Sequence, residues 1–180
     1  MSITQTPVSK GLSKIYFMKI VKAHIKDYQT IYDIAVPVWN ATYKSILKAE
    51  QLDYMLKLMY SQEAIAEQMS TKGHQFLLAL DDNAAVGFTS YEVNYGAQIT
   101  KIHKLYVLPE THGKGIGRAL INEIEKAATA DDNNTLILNV NRFNPAVNFY
   151  NKIGFLNIGE EDVAIGNGYL MEDFIMQKHL

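Results

Sequence analysis

The chain has no cysteine. That removes disulfides, thiolate-held metals and a cysteine nucleophile together, and it accords with a reducing cytoplasm. Charge of one sign is also missing: 17 Lys plus Arg stand against 19 Asp plus Glu, a formal net charge of -2. The basic surplus with which a protein wraps duplex nucleic acid is therefore absent, and no nucleic-acid partner is expected. No run approaches about 18 uninterrupted apolar residues, so no membrane partner is expected either. The N-terminus is polar, with Pro7 and Gly11, and lacks the charged-then-apolar order of a signal peptide. Residues 1–13 read as a loose leader and 14–180 as a single domain, for which 48% hydrophobic residues provide an ample core. A cytoplasmic protein is the expectation.

What is present is a series of short periodic segments. Lys14 to Ala23 is β-branched and aromatic and predicts a first strand. From Asp27 the apolar residues Ile31, Ile34, Ala35, Val38, Trp39 and Ile46 recur at helical spacing, with Pro37 predicting a kink or break near Val36. Helical patterns follow over Glu50 to Met59 and Gln62 to Met69, then strand-like runs over His74 to Leu80, Ala84 to Val93 and Gln98 to Leu108. A helix over Arg118 to Ala130, a strand over Thr135 to Val140 and a helix opened by Asn144-Pro145 come next. Strands over Phe155 to Ile165 and Tyr169 to Met176, joined at Gly166-Asn167-Gly168, close the chain. A mixed sheet flanked by helices accommodates this order.

The most informative segment is YVLPETHGKGIGRALINEIE, where a strand gives way to a helix through Gly113, Gly115 and Gly117. Glycines let the backbone approach a ligand, and the N-terminus of the helix presents unpaired N–H groups and a positive dipole end. Lys114 and Arg118 add positive charge, so a pyrophosphate is a candidate occupant; a turn that is merely tight is the other reading. The spacing fits neither the P-loop pattern nor the dinucleotide fingerprint, whose third glycine is replaced by Arg118.

Together with NVNRFNPAVNFYNKIGF downstream, this segment resembles the GNAT superfamily of N-acyltransferases. The family's Q/R-x-x-G-x-G/A turn is matched by His112, Gly115 and Gly117, and its Asn-led helix followed by Gly-Phe by Asn144, Ala146, Tyr150, Gly154 and Phe155. The resemblance is strong from about Lys101 to Phe155 and weaker before it. It implies an α/β (α+β) fold, a mixed and mostly antiparallel sheet of about seven strands flanked by helices. It also implies an N-acetyltransferase that moves the acetyl group of acetyl-CoA to a primary amine of a small molecule, by direct attack in a ternary complex and without a metal. Carried over, Leu105, Tyr106 and Val107 would bond the pantetheine arm and His112, Gly113, Lys114, Gly115, Ile116, Gly117 and Arg118 would cradle the phosphates. Asn144 would help fix the pantetheine, with Tyr150 beside the sulfur. Proteins of this kind are commonly dimers, which leaves a homodimer open.

Amine attack on a thioester needs a base, an oxyanion donor and an acid for the thiolate. Tyr150, with an ordinary pKa of about 10, suits the last role. Many relatives place a carboxylate on the fourth strand where this chain has Lys101. By strand alternation His103 shares a face with Lys101 and Leu105 and is a candidate base; Glu92 and a water chain are others. Trp39 and Tyr43, four residues apart on one helical face, are candidates for lining the acceptor site. Polyamine, aminoglycoside, amino-acid and protein N-terminal acceptors all remain open, as does a non-catalytic acyl-CoA sensor.

Overall fold

A computed structural model describes residues 18–180, so the leader at 1–13 and the start of the first expected strand lie outside the described residues. Where two strands meet in a tight turn, the turn residues adopt positive φ. Asp82 (φ 49°) and Asn83 (φ 68°) link β2 (Gln75–Asp81) to β3 (Ala84–Gly96), and Asn167 (φ 52°) with Gly168 (φ 76°) link β6 (Leu156–Gly166) to β7 (Tyr169–His179). Such two-residue turns match the twist of the strands they join. With β1 (Met18–Ala23), β4 (Ile99–Val107) and β5 (Thr135–Asn141) these form one seven-stranded sheet of order β1-β2-β3-β4-β5-β7-β6. Every neighbouring pair is antiparallel except β4 and β5. The expected mixed sheet flanked by helices is the observed fold.

Helices cover both faces. α4 (Ile116–Ala130) makes the crossover between β4 and β5, and its stripe of Leu120, Ile121, Ile124 and Ala128 is fully buried. Ile121, Ile124 and Ala128 join a cluster with Leu136, Leu138, Phe155 and Met176, beside α5 (Ala146–Lys152). On the other face α1 (Tyr28–Tyr43), α2 (Ala49–Tyr60) and α3 (Gln62–Ser70) bury Ile31, Trp39, Leu56 and Ile65 against Phe76, Leu78 and Phe88. Of the kink or break expected near Val36, there is no break: α1 runs through Pro37 as one helix. Pro37 and Asp33, whose carbonyl the proline leaves without its usual N–H, both lie on the exposed side, where water can satisfy that carbonyl.

Two irregularities shape the centre of the sheet. The parallel pairing of β4 with β5 covers only Ile99–Ile102 against Thr135–Leu138; beyond it β4 stays with β3 and β5 with β7. The β3–β4 register also shifts between Ser90↔Lys104 and Tyr91↔Ile102, leaving His103 as an extra, bulged residue. The bulge corrects simple alternation. His103 reaches Glu92, the partner of Lys101, but Leu105 packs on the opposite side with the α4 clusters.

The closed end of the parallel pair is tied by Asn133, 3% exposed. Its Oδ1 accepts from the Asn94 N–H (3.0 Å) and the Thr100 hydroxyl (3.0 Å), and its Nδ2 donates to Asn94 Oδ1 (2.7 Å) and the Asp131 carbonyl (2.7 Å). Replacing Asn133 by Ala strands these partners, and urea unfolding should show a loss of about 2–3 kcal/mol, within the range for orphaned buried polar groups.

Candidate active site

Where β4 and β5 separate, they leave a cavity of about 680 Å³. One wall is β4 from Ile102 to Val107, whose edge towards β5 has, beyond Ile102, no strand beside it among the described residues. The opposite wall is β5 from Leu138 to Asn141 with α5, the glycine turn closes one end, and Trp39, Tyr43, Met171 and Asp173 stand towards the other face of the sheet. The residues expected at the site line this space except Lys114, which is ion-paired with Asp81 at 3.2 Å, and the alternative base Glu92, which lies 3.0 Å from His103.

The glycine turn is built for close approach. Gly113 and Gly115 both have φ 79°, a region that L side chains rarely adopt, and a Cβ at either would meet nothing within 4 Å. The space over the turn is thus open, while the backbone itself demands glycine. Gly115 serves as N-cap of α4 with no side-chain cap hydrogen bond among the described residues, which leaves the first N–H groups of the helix for a ligand. His112 folds back, its Nε2 lying 3.0 Å from the Val107 carbonyl, and Gly117 approaches Phe149 so closely that a Cβ would sit 3.2 Å from the ring. These observations fit a ligand that carries a phosphate group at one end and hydrogen-bonds the open edge of β4 along its length.

Asn144 joins the two sides of the cavity. Its Oδ1 accepts from the Ala146 N–H (2.9 Å), capping α5, and its Nδ2 donates to the Tyr43 hydroxyl (3.2 Å) on α1. Tyr150, 7% exposed, faces Phe149 and Phe155 edge-on and makes no side-chain hydrogen bond to another described residue. Burial, reinforced by Tyr43, pushes its phenol well above the ordinary value, so it stays protonated. Tyr43 is likewise raised by burial first and then by Tyr106. Trp39 packs against Tyr43 with the rings tilted and their centres 4.7 Å apart, and donates its indole N–H to Tyr60 (3.2 Å), so it belongs to the core as well as to the wall.

At the bulge, His103 stacks on His74 at 3.7 Å and lies 3.0 Å from Glu92 Oε2. Burial, then the charges of His74, Lys104 and Lys101, push His103 down to about 3. His74 is held at about 4 by burial and by Lys104, Lys72 and Lys101. His74, Glu92 and His103 bring their ligand atoms within 4.8 Å of one another. Three lysine charges around the group oppose a divalent cation there. Lys101 itself turns to Tyr95, 4.7 Å from the ring centre.

Lys104 and Asp173 were not signalled by any motif. Lys104, 8% exposed, donates to Gln68 Oε1 (2.7 Å), and burial holds its amine at about 7. Asp173, 4% exposed, carries an Oδ1 with no hydrogen-bond partner among the described residues. Both were hidden by register, since the bulge sets the direction of Lys104 and a pairing with Asn141, distant in sequence, places Asp173.

Comparison with known proteins brings the same architecture next to acetyltransferases. Residues 44–174 match the acetyltransferase (GNAT) domain family. The spermidine N(1)-acetyltransferase of Thermoplasma acidophilum is 30% identical over 166 residues, covering 89% of this chain and 96% of that protein. The crystal structure of a PaiA N-acetyltransferase from the same organism in complex with coenzyme A superimposes with a TM-score of 0.76 at 29% identity, covering 91% of this chain and 99% of that one. A GCN5-related N-acetyltransferase from Rhodopseudomonas palustris shares the fold at a TM-score of 0.77 and 23% identity, over 94% and 100% of the two chains.

The paired imidazoles make stability depend on pH. Both are neutral when folded, whereas an unfolded histidine takes up its proton near about pH 6.5. The unfolded chain therefore binds more protons below that value, and stability falls as pH drops from about 7 towards 5. Thermal melts across this window should show the decline, and a His74→Gln, His103→Gln double variant should flatten it.

Proposed function

This chain belongs to the GNAT family of acetyltransferases and is an N-acetyltransferase, and we propose that it moves the acetyl group of acetyl-CoA to a primary amine of a small molecule by direct attack within a ternary complex. The observation that carries this reading is the split between β4 and β5, one open backbone edge that leads from a glycine-lined helix N-terminus to a buried tyrosine. A relative that acts on spermidine, and another whose structure holds coenzyme A, support both halves of the proposal.

In this reading acetyl-CoA supplies an acetyl group already activated as a thioester. The turn from His112 to Arg118 receives the pyrophosphate on backbone N–H groups and the positive end of α4, with Arg118 adding charge at the cavity wall. Leu105 and Val107 turn their backbone groups to the unpaired β4 edge and the pantetheine amides, Tyr106 between them is paired with Phe88 of β3 and lends its ring to the wall, and Asn144 faces them from the α5 side. The Leu105 N–H, on the open side of β4, stabilises the negative charge that develops on the carbonyl oxygen. Tyr150, protonated at neutral pH, donates to the departing sulfur. His103 is too weak a base at about 3 to hold a proton at neutral pH; we assign it to passing the amine proton on to Glu92, 3.0 Å away.

Acetyl-CoA at about one hundred times its Kd should stabilise the native state by about 2.7 kcal/mol, a rise in Tm of several degrees. Gly115→Val should abolish that rise, in addition to the folding cost of forcing a β-branched residue to positive φ. Tyr150→Phe should retain the rise and lower kcat by about 100-fold. An unchanged kcat would remove Tyr150 as the acid, and a wild-type melt insensitive to acetyl-CoA would sink the cosubstrate assignment.

A further inference from the structure

The geometry points to Asp173 as the binding site for a second, protonated nitrogen of the acceptor, which makes that acceptor a diamine or polyamine; this inference rests on the acetyl-transfer reading of the same cavity. Asp173 lines the cavity away from the glycine turn, 4% exposed, with Oδ1 lacking any hydrogen-bond partner among the described residues. A carboxylate taken out of water with an unsatisfied oxygen is costly unless a cation completes it. The charge of Arg142, at the end of β5, acts on Asp173 but forms no hydrogen bond to it: its Nη1 and Nη2 are paired with Glu160 (3.2 Å) and Asp162 on β6, and its Nε has no partner among the described residues.

Strand register shows which way the site opens. Asp173 lies opposite Asn141 on β5 and opposite Glu161 on β6, so all three side chains share one face of the sheet. Glu161 reaches along that face to accept from Asn139 Nδ2 at 2.9 Å. Met171, two residues before Asp173 on the same face, packs with the α1–α3 cluster, so this face is opposite the one covered by α4 and α5. A path therefore runs from the bulge at His103 past Asn139 and Asn141 to a buried anion, with a further carboxylate beside it. A monoamine that loses its proton before attack carries no charge to place there. A chain of two or more amines separated by methylenes keeps one ammonium for Asp173 while another nitrogen, neutral, attacks the acyl carbon. The new C–N bond replaces C–S, the amine proton leaves through His103, and the thiolate is protonated by Tyr150. The aromatic wall of Trp39, Tyr43 and Tyr106 accommodates the intervening methylenes.

Two measurements on the full chain, saturated with CoA, decide this. Calorimetric titration with spermidine should give a Kd at least tenfold weaker for Asp173→Asn than for wild type, with the CoA-induced rise in Tm unchanged. On wild type alone, spermidine, which keeps its charges throughout, should bind progressively less as pH falls from 7 to 5. Asp173 protonates in that window, being held near 6 by burial and Glu161 against the pull of Arg142 and Lys101, with Tyr43 above it uncharged. Equal affinity in variant and wild type, binding indifferent to pH, or no binding to wild type would each overturn the assignment of Asp173. A melt unresponsive to CoA would instead sink the cosubstrate reading, and the titration run without CoA would still decide Asp173.

Discussion

β4 cannot stay paired on both sides along its whole length. It follows β3 from Glu92 to Gly87, and the extra residue at His103 bends it and adds local twist. β5, held by β7 along its full length from Thr135 to Asn141, continues straight. After four residue pairs the two part, and a sheet that would otherwise be solid acquires a slot through its middle. The groups proposed to act lie on the walls of that slot: the open β4 edge, Asn139 and Asn141 across from it, Tyr150 beneath and Asp173 beyond.

An opening through a sheet is a place where the solvent is replaced by protein groups, and the protonation states at the site follow from that. Burial drives phenols, imidazoles and amines towards their neutral forms. Tyr43, Tyr106 and Tyr150 are held protonated, His74 and His103 are held deprotonated, and even Lys104 is brought down to about 7. Tyr150 holds its proton at neutral pH with or without burial; burial makes it a weaker acid, so its transfer to sulfur relies on the basicity of the departing thiolate. Asp173 is the counterpart on the acceptor side, a buried carboxylate raised only to about 6 and so still largely charged at neutral pH. With Arg118 at the glycine-turn end and Asp173 at the acceptor end, the pocket carries opposite charges at its two ends, which gives a cationic acceptor a direction to follow.

The sequence by itself determined most of the elements, since these rest on local chemistry: helical and alternating periodicities, Asp82-Asn83 and Asn167-Gly168 in positive-φ turns, and glycines where α4 begins. Its paired motifs were enough to place His112 to Arg118, Asn144 and Tyr150 around one space, because each motif keeps its groups close in the chain. Tertiary structure decided the rest. Whether Pro37 breaks α1 depended on which side of the helix faces water. Whether Leu105 shares a face with His103 depended on a bulge that exists only in the pairing with β3, because a single inserted residue reverses every side chain after it. Lys114 was drawn to Asp81, a residue 33 positions away. Asp173 has no local signature at all. It is one acidic residue on a late strand until the β5–β7 register sets it beside Asn141 with an unsatisfied oxygen in the slot, and no property of its neighbours in sequence encodes that meeting.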